Sequence, residues 1–285
     1  MKRRFMTARL LIMPLMAAWT ATLHADTNSY PWMDGRTVVR SIAGSIAPPR
    51  GFTRTSLEPG SFADWLRGLP LKQAGARVML YNGREKPNQA FHAAVMDIDT
   101  GPRDLQQSAG AIIRFKAEYL FSVARYSEIE FQFTSGTPAP YERWRMGFRP
   151  VVRGDTVRWA RGAGKDSSHA SFRSYLDSVF RYAGTASLGR ELVPVKDVRQ
   201  MQIGDVFIRG GPPGHAVIVV DMAERSEEGS RVFMIAQSYM PAQDIHILVN
   251  PVEGGLGPWY RLEDGKLRTP EWEFDADQLM RFKKP

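Results

Sequence analysis

The chain of 285 residues contains no cysteine. This absence excludes disulfide bonds, lipid attachment at a cysteine and catalysis by a thiolate. Hydrophobic residues make up 43% of the chain and charged residues 24%, which is typical of a globular protein. The length favours one large domain or two small ones, with enough chain to bury a substantial core.

Several common functional motifs are also absent. The sequence has no Gly-x-x-x-x-Gly-Lys phosphate loop, no Gly-x-Ser-x-Gly elbow and no His-Glu-x-x-His zinc helix. The glycine-rich stretch 210–214 is no substitute for a phosphate loop, because Pro212 and Pro213 lack N–H donors and no helix is predicted after them. We therefore expect neither a metal nor a cofactor.

The first 25 residues have the layout of a secretory signal peptide. Lys2, Arg3 and Arg4 precede an apolar run from Leu10 to Ala18, and small residues lead to Ala25. The apolar run is too short to span a bilayer, which makes a retained membrane anchor the less favoured alternative. The leader predicts an exported protein of the periplasm or outer cell envelope, cleaved near Ala25.

Removing the leader also changes the charge. It carries four basic residues and no acidic one, so the net charge of +8 falls to +4. The remaining chain has no lysine- or arginine-rich run with interleaved aromatic residues, and it predicts no nucleic-acid partner. A mildly basic surface suits an anionic partner such as peptidoglycan or another envelope polymer.

The rest of the chain predicts an α+β fold in which an antiparallel sheet packs against helices. Residues 26–60 are rich in proline, glycine and serine and predict an extended segment, and residues 61–285 predict a single domain. Early helices followed by consecutive strands favour α+β over a doubly wound sheet. Helices are predicted at 61–66, 104–124 and 171–183; strands at 77–81, 91–99, 129–133, 215–221, 231–237, 244–249 and around Trp272 and Phe274; and an irregular region at 135–170.

The first candidate for chemistry is His215, at the start of an apolar strand. It follows the short strand and Gly/Pro-rich turn of 203–214. Antiparallel pairing of 215–221 with 231–237 predicts that Gln237 lies opposite His215, so that Gln237 or Ser238 could orient the imidazole. The alternative is that His215 is a structural residue whose ring nitrogens form hydrogen bonds with neighbouring groups.

The second candidate is Ser108, near the start of the longest predicted helix. A helix N-terminus stabilises negative charge, and Gln107 could donate to an oxyanion. Serine gains less than cysteine from this position, because its pKa stays far above neutral without a base. The alternative is that Gln106, Gln107 and Ser108 form an ordinary polar first turn.

Aromatic residues near the C-terminus suggest a third feature. Tyr239, Trp259 and Tyr260, together with Trp272, could line a groove for a sugar or a peptide. Equally, they could close the core beneath a C-terminal tail.

Five blocks of the sequence resemble a known family: 62–72, 103–108, 182–188, 204–221 and 236–243. They resemble domain-of-unknown-function family 4846, a group of exported bacterial proteins without an established activity. A weaker resemblance points to the NlpC-type cysteine peptidases and implies a papain-like core.

In that second resemblance a nucleophile at a helix start is followed by a Gly-Asp strand, a histidine and a polar third residue. The matching positions are Ser108, Gly204 with Asp205, His215 and Gln237. The resemblance also implies that relatives carry cysteine where this chain has Ser108. Two functions follow as expectations: an amide hydrolase acting on peptidoglycan, or its inactive relative, and a non-catalytic envelope module that binds glycan or peptide.

Overall fold

A computed structural model describes residues 29–225, 229–262 and 265–283. The predicted signal peptide at 1–25 lies outside the described residues. Within them, no helix combines the length and the apolar character needed to cross a membrane.

The predicted helices are confirmed, with changed ends. Ser61 caps the second helix by accepting a hydrogen bond from Asp64 N at 3.2 Å, as its sequence predicts. Ser168 caps the fifth helix in the same way. The helices are α1 (Ile42–Ser45), α2 (Phe62–Arg67), α3 (Ser108–Ser122), α4 (Tyr141–Arg145), α5 (His169–Tyr182) and α6 (Thr185–Glu191).

Within the described residues, the strands form one large antiparallel sheet and three small ones. In the large sheet the order is β2-β11-β10-β9-β8-β14-β7, with β1 pairing to β9 as well. The strands are β1 (Thr53–Arg54), β2 (His92–Val95), β3 (Glu130–Gln132), β4 (Pro138–Pro140), β5 (Phe148–Arg153), β6 (Thr156–Arg161), β7 (Leu192–Pro194), β8 (Val206–Arg209), β9 (His215–Arg225), β10 (Ser230–Gln237), β11 (His246–Leu248), β12 (Lys266–Arg268), β13 (Glu273–Asp275) and β14 (Leu279–Phe282). The predicted α+β class with an antiparallel sheet is confirmed.

Strand β9 is the centre of this sheet. It is buried from His215 to Ala223, because α2 and α3 pack against it and strands lie on both sides. Its β-branched run suits a strand that faces protein on both surfaces. One register shift interrupts its pairing with β10: Met234 lies opposite Asp221 and Ile235 opposite Val219, which leaves Val220 as the extra residue of a β-bulge.

Helix α3 begins four residues later than its apolar stripe predicts. Asp104, predicted at its start, instead accepts a hydrogen bond from Ala242 N at 2.7 Å. This tertiary bond holds the chain before the helix in an irregular path. Farther along α3, Arg114 and Glu118 are fully buried and form an ion pair at 2.6 Å.

One other expectation differs from the structure. The region 135–170, predicted to be irregular, contains α4 and the strands β4, β5 and β6. Short strands rich in arginine and proline lack the apolar alternation that would have revealed them. The segment 26–60 contributes Met33, Ile42 and Phe52 to the core, and its strand β1 pairs with β9. The described part of this segment therefore packs with the sheet.

Candidate active site

One cavity of about 570 Å³ is lined by four of the nine predicted site residues. Its wall comes from the start of α3, the junction between α5 and α6, the turn before β9 and the loop after β10. Ser108, Gln107, His215 and Tyr239 all line it. The structure therefore brings together two residues, Ser108 and His215, that lie more than a hundred positions apart.

Ser108 is the first residue of α3 and is 7% exposed. Within the described ranges, its hydroxyl forms no hydrogen bond with another residue. Ala109 and Gly110 line the cavity beside it. The first N–H groups of a helix have no acceptor inside the helix, so this end of α3 can stabilise negative charge in the cavity.

Gln107 precedes Ser108 and also lines the cavity. Its Nε2 donates to Asp104 Oδ1 at 3.0 Å, which anchors the amide beside the helix start. An amide nitrogen carries two hydrogens, and one of them remains for an oxyanion. The predicted supporting role of Gln107 therefore stays open to test.

His215 begins β9 and is 2% exposed. The glycine before it is required by close packing: a Cβ at Gly214 would lie 2.1 Å from the carbonyl oxygen of Gly211 and 2.3 Å from Thr185 Oγ1. His215 Nε2 lies 2.7 Å from Gln237 Oε1. An amide oxygen can only accept, so Nε2 carries the proton and Nδ1 keeps a free lone pair.

The environment of His215 keeps its ring neutral. Burial lowers its pKa from 6.5 to about 4; the hydrogen bond to Gln237 acts in the opposite direction, and the charge of Lys86 adds to the lowering. Aromatic rings surround it, with Tyr239, Trp272 and Phe274 centred 4.8, 5.3 and 5.9 Å away. At neutral pH the imidazole is therefore a proton acceptor.

Gln237 contacts His215 as predicted, although the register differs. Ala236 lies opposite Ile218, so continuing the pairing sets Gln237 opposite Val217 and two residues away from His215. The predicted register was wrong because the two strands stay paired as far as Arg225 and Ser230, beyond the assumed ends at Asp221 and Arg231. The bulge reduces the resulting shift from three residues to two. His215 and Val217 share one face of the sheet, and the long amide side chain spans the remaining distance.

Two further residues extend this contact and were missed by the sequence reasoning. Gln237 Nε2 donates to Glu271 Oε2 at 2.7 Å, and Lys86 Nζ donates to the same oxygen at 2.7 Å. Lys86 is 6% exposed and the side chain of Glu271 14%. Both lie in irregular segments without periodicity, so no local pattern could have identified them.

Ser238 supports the site from behind the cavity. Its Oγ lies 2.9 Å from both Gln106 O and Gln243 O, and it accepts from Gln243 N at 3.2 Å. It thereby joins the chain before α3 to the loop after β10. The predicted supporting residue thus contacts the backbone just before Ser108, not the imidazole.

Gln237 and Ser238 do not line the cavity themselves, and three further predicted residues lie away from it. Asp205 lies just before β8, is 1% exposed and accepts two hydrogen bonds from Arg281 of β14, at 2.6 and 2.7 Å, as an ion pair. Trp259 and Tyr260 are each 1% exposed, and Trp259 Nε1 donates to Ala47 O at 2.9 Å. The predicted groove with these two aromatics was wrong: they close the core, and only Tyr239 and Trp272 of that set line the cavity.

Comparison with known proteins gives a family and no activity. No curated protein and no solved structure matches the chain. One family model matches it over residues 42–281, which is most of its length, and that family is described as a domain of unknown function. The match confirms the resemblance carried by the sequence blocks, and the chain belongs to the domain of unknown function family 4846.

Proposed function

We propose that this protein is an exported hydrolase of amide bonds with a papain-like core. Ser108 would be the nucleophile, His215 the general base and Gln237 the residue that orients the base. One observation carries the proposal: Ser108 and His215 line the same cavity, while Gln237 holds His215 Nε2 and leaves Nδ1 free.

The order of these residues along the fold adds support. Ser108 begins a helix that packs against β9, His215 begins β9, and Gln237 ends the next strand, β10. The NlpC-type peptidases, which the sequence resembles, carry their nucleophile, base and third polar residue in this order. Active sites are recognised by such geometry and roles.

The proposed reaction uses Ser108 as the nucleophile and His215 as the base. Ser108 Oγ attacks the carbonyl carbon of the amide while its proton passes to His215 Nδ1. The C–N bond then breaks, the amine leaves with that proton, and the acyl group stays on Ser108 as an ester. Water attacks the ester, again giving a proton to Nδ1, and the acid and free Ser108 are released after proton return. The N-terminal N–H groups of α3 would stabilise the oxyanion in both halves.

Serine makes this a slow site. A histidine whose pKa is about 4 is a weak base for a hydroxyl whose pKa is far above neutral. A thiol, with a pKa of about 8.5, needs much less help. The same cavity would therefore serve a cysteine far better than the serine it contains.

The cavity wall suggests the kind of substrate. Among the described residues that line it, none is acidic, lysine or arginine, and the wall includes Phe180, Pro212, Tyr239 and Trp272. An uncharged, small or apolar part of a peptide would fit beside Ser108. The leader at 1–25 and the mildly basic chain favour a location in the cell envelope. We therefore propose the peptide stems of peptidoglycan as the substrate class.

The decisive test is Ser108→Cys, because the chain has no other thiol. Purified parent protein, the Ser108→Cys variant and the Ser108→Cys/His215→Ala variant are incubated with muropeptides, and released fragments are measured by mass spectrometry. We expect Ser108→Cys to cleave faster than the parent. Removing the base should then lower its rate by roughly 100- to 10,000-fold.

Alkylation of the introduced thiol gives a matched readout without substrate. The rate of reaction with iodoacetamide is followed against pH for Ser108→Cys and for Ser174→Cys, which sets a thiol on the exposed face of α5. A thiol pKa below that of the control would support the site. Equal thiol pKa values, together with no cleavage by either protein, would defeat the hydrolase.

A binding module is the second candidate. The observation that favours it is the aromatic wall beside Ser108, to which Phe180, Tyr239 and Trp272 contribute. Absence of cleavage combined with retained binding of muropeptides, measured by calorimetry, would support this function.

A further inference from the structure

A chain of hydrogen bonds runs from the imidazole into the protein. His215 Nε2 bonds to Gln237 Oε1, Gln237 Nε2 bonds to Glu271 Oε2, and Lys86 Nζ bonds to the same carboxylate oxygen; each distance is 2.7 Å. The last two residues have no part in the reaction proposed above. Their burial makes them costly to keep, since buried charges destabilise a fold unless they are paired.

The carboxylate of Glu271 determines which atoms donate and which accept along this series of hydrogen bonds. An ionised carboxylate only accepts hydrogen bonds, so Gln237 must present its NH₂ group to Glu271. The oxygen of the same amide then faces His215, and Nε2 of the ring must donate to it. The proton is thereby kept off Nδ1, the atom that the proposed reaction needs as a base.

The opposite orientation of the amide would have the opposite effect. It would set Gln237 Oε1 against Glu271 and its NH₂ group against His215 Nε2. The ring would then accept at Nε2 and carry its proton on Nδ1, where it could not receive a proton from Ser108. Loss of the charge-assisted hydrogen bond disfavours this arrangement by roughly 10- to 100-fold.

We propose that Glu271, held by Lys86, is a positioning residue that fixes the amide of Gln237 and so keeps the proton of His215 on Nε2. The proposal deepens the function proposed above, because the tautomer matters for a base at Nδ1. It also concerns a property of the free protein that does not depend on any substrate.

Both ends of the pair are built into the fold. Lys86 N donates to Val78 O at 2.9 Å, which fixes the strand-like segment that carries the lysine. Glu271 follows Thr269, whose Oγ1 accepts from Trp272 N at 2.9 Å and so holds the turn. Lys86 also balances the negative charge, so Glu271 orients the amide without adding an unpaired charge near the ring.

The test replaces the charged pair by apolar side chains of similar length. In Lys86→Met/Glu271→Met the carboxylate is gone and no lysine is left unpaired. Histidine labelled with ¹⁵N is measured at neutral pH by long-range ¹H–¹⁵N correlation, which separates protonated from unprotonated ring nitrogens; His215→Gln assigns the signals. The parent should show the proton on Nε2, and the double variant should show it on Nδ1 in roughly half of the molecules, because nothing then directs the amide.

Glu271→Gln is the matched control. Its side-chain oxygen can still accept from both Lys86 and Gln237, and it should keep the proton on Nε2. An unchanged tautomer in the double variant, shown to be folded by circular dichroism, would overturn the proposal. If Glu271→Gln lost as much of the Nε2–H form as the double variant, the proposal would also be overturned. Disturbed packing would then explain the change of tautomer in both variants. Failure of muropeptide cleavage would leave the tautomer result intact, so the two proposals can fail separately.

Discussion

At the scale of single residues, His215 shows how burial sets chemistry. The ring is enclosed by aromatic side chains, and the bond to Gln237 does not offset the loss of water around the charged form. Its pKa therefore lies near 4 instead of 6.5. The same burial that makes it neutral also makes it sensitive to acid.

We predict that His215 makes the fold less stable in acid. The unfolded chain takes up a proton on this ring near pH 6.5, and the folded protein only near pH 4. Between these values the unfolded state binds more protons, so the free energy of unfolding falls by about 3 kcal/mol as the pH decreases from 6.5 to 4. This contribution is fully present above pH 6.5.

The measurement is urea unfolding at several pH values for the parent and for His215→Gln. The variant should lose this part of the pH dependence. His246, also buried with a pKa lowered to about 3, contributes to both proteins and cancels in the difference. Identical pH dependence in the two proteins would contradict the prediction.

Residues of the site differ in how far the sequence reveals them. Ser108, His215 and Gln237 could be selected as candidates from the sequence, because they lie near the start of a predicted helix, at the start of a predicted strand and at the end of the neighbouring strand. Glu271 and Lys86 could not, since their side chains meet Gln237 from irregular segments far away in the chain. Ionic contacts of this kind depend on the finished fold.

At the scale of elements, the position of the first turn of α3 determines where Ser108 lies. Two hydrogen bonds hold the residues just before that turn: Ser238 Oγ bonds to the carbonyl of Gln106, and Ala242 N donates to Asp104. The apolar stripe predicts the helix itself but not its first residue. The first residue of α3 depends on tertiary hydrogen bonds made by the residues before the helix. The periodicity of apolar residues does not reveal such bonds.

We predict that Ser238→Ala lowers the free energy of unfolding by about 1–3 kcal/mol, because Gln243 N and the carbonyl of Gln106 lose a buried partner. Amide hydrogen exchange at 108–110 should become faster, which a loss of stability elsewhere would not produce selectively. Chemical denaturation and exchange mass spectrometry check both effects.

Ser174→Ala is the control for this substitution. Ser174 is exposed on α5. Among the described residues its hydroxyl bonds only to Ala170 of the same helix, so its replacement should change stability by no more than about 0.5 kcal/mol. A Ser238→Ala variant as stable as this control would show that the bonds of Ser238 contribute nothing.

At the scale of the whole molecule, one carboxylate joins three elements. Asp221 on β9 is fully buried and accepts from Arg54 Nε of β1 and from Arg67 Nε of α2, each at 2.7 Å. It therefore holds the N-terminal segment and the second helix against the central strand.

We predict that Asp221→Asn costs about 3–5 kcal/mol, because it leaves two largely buried guanidinium groups without their charge partner. Thermal and urea unfolding measure the loss. Asp197→Asn is the matched control, since its partner Arg199 is 87% exposed and water screens the ion pair, so this variant should unfold like the parent. Similar losses in both variants would contradict the prediction.

The overall class of the fold follows from the sequence, and its assembly does not. Helical periodicity and late strands predict α+β, whereas the order of the eight paired strands depends on β7 and β14, which have little local signal. Trp259 and Tyr260 show the same limit. Their types suit a groove or a core equally, and only tertiary packing decides between the two.

The extra residue at Val220 has a consequence for how the family can vary. Residues opposite each other in antiparallel strands point to the same face, so without the bulge Gln237 would lie opposite Ile218, on the other side of the sheet from His215. The contact between His215 and Gln237 thus depends on the number of residues between them along the two strands. Adding or removing one residue moves the Gln237 side chain to the opposite face of the sheet. Among relatives, an insertion or deletion within β9 or β10 is therefore more informative about the site than a substitution there.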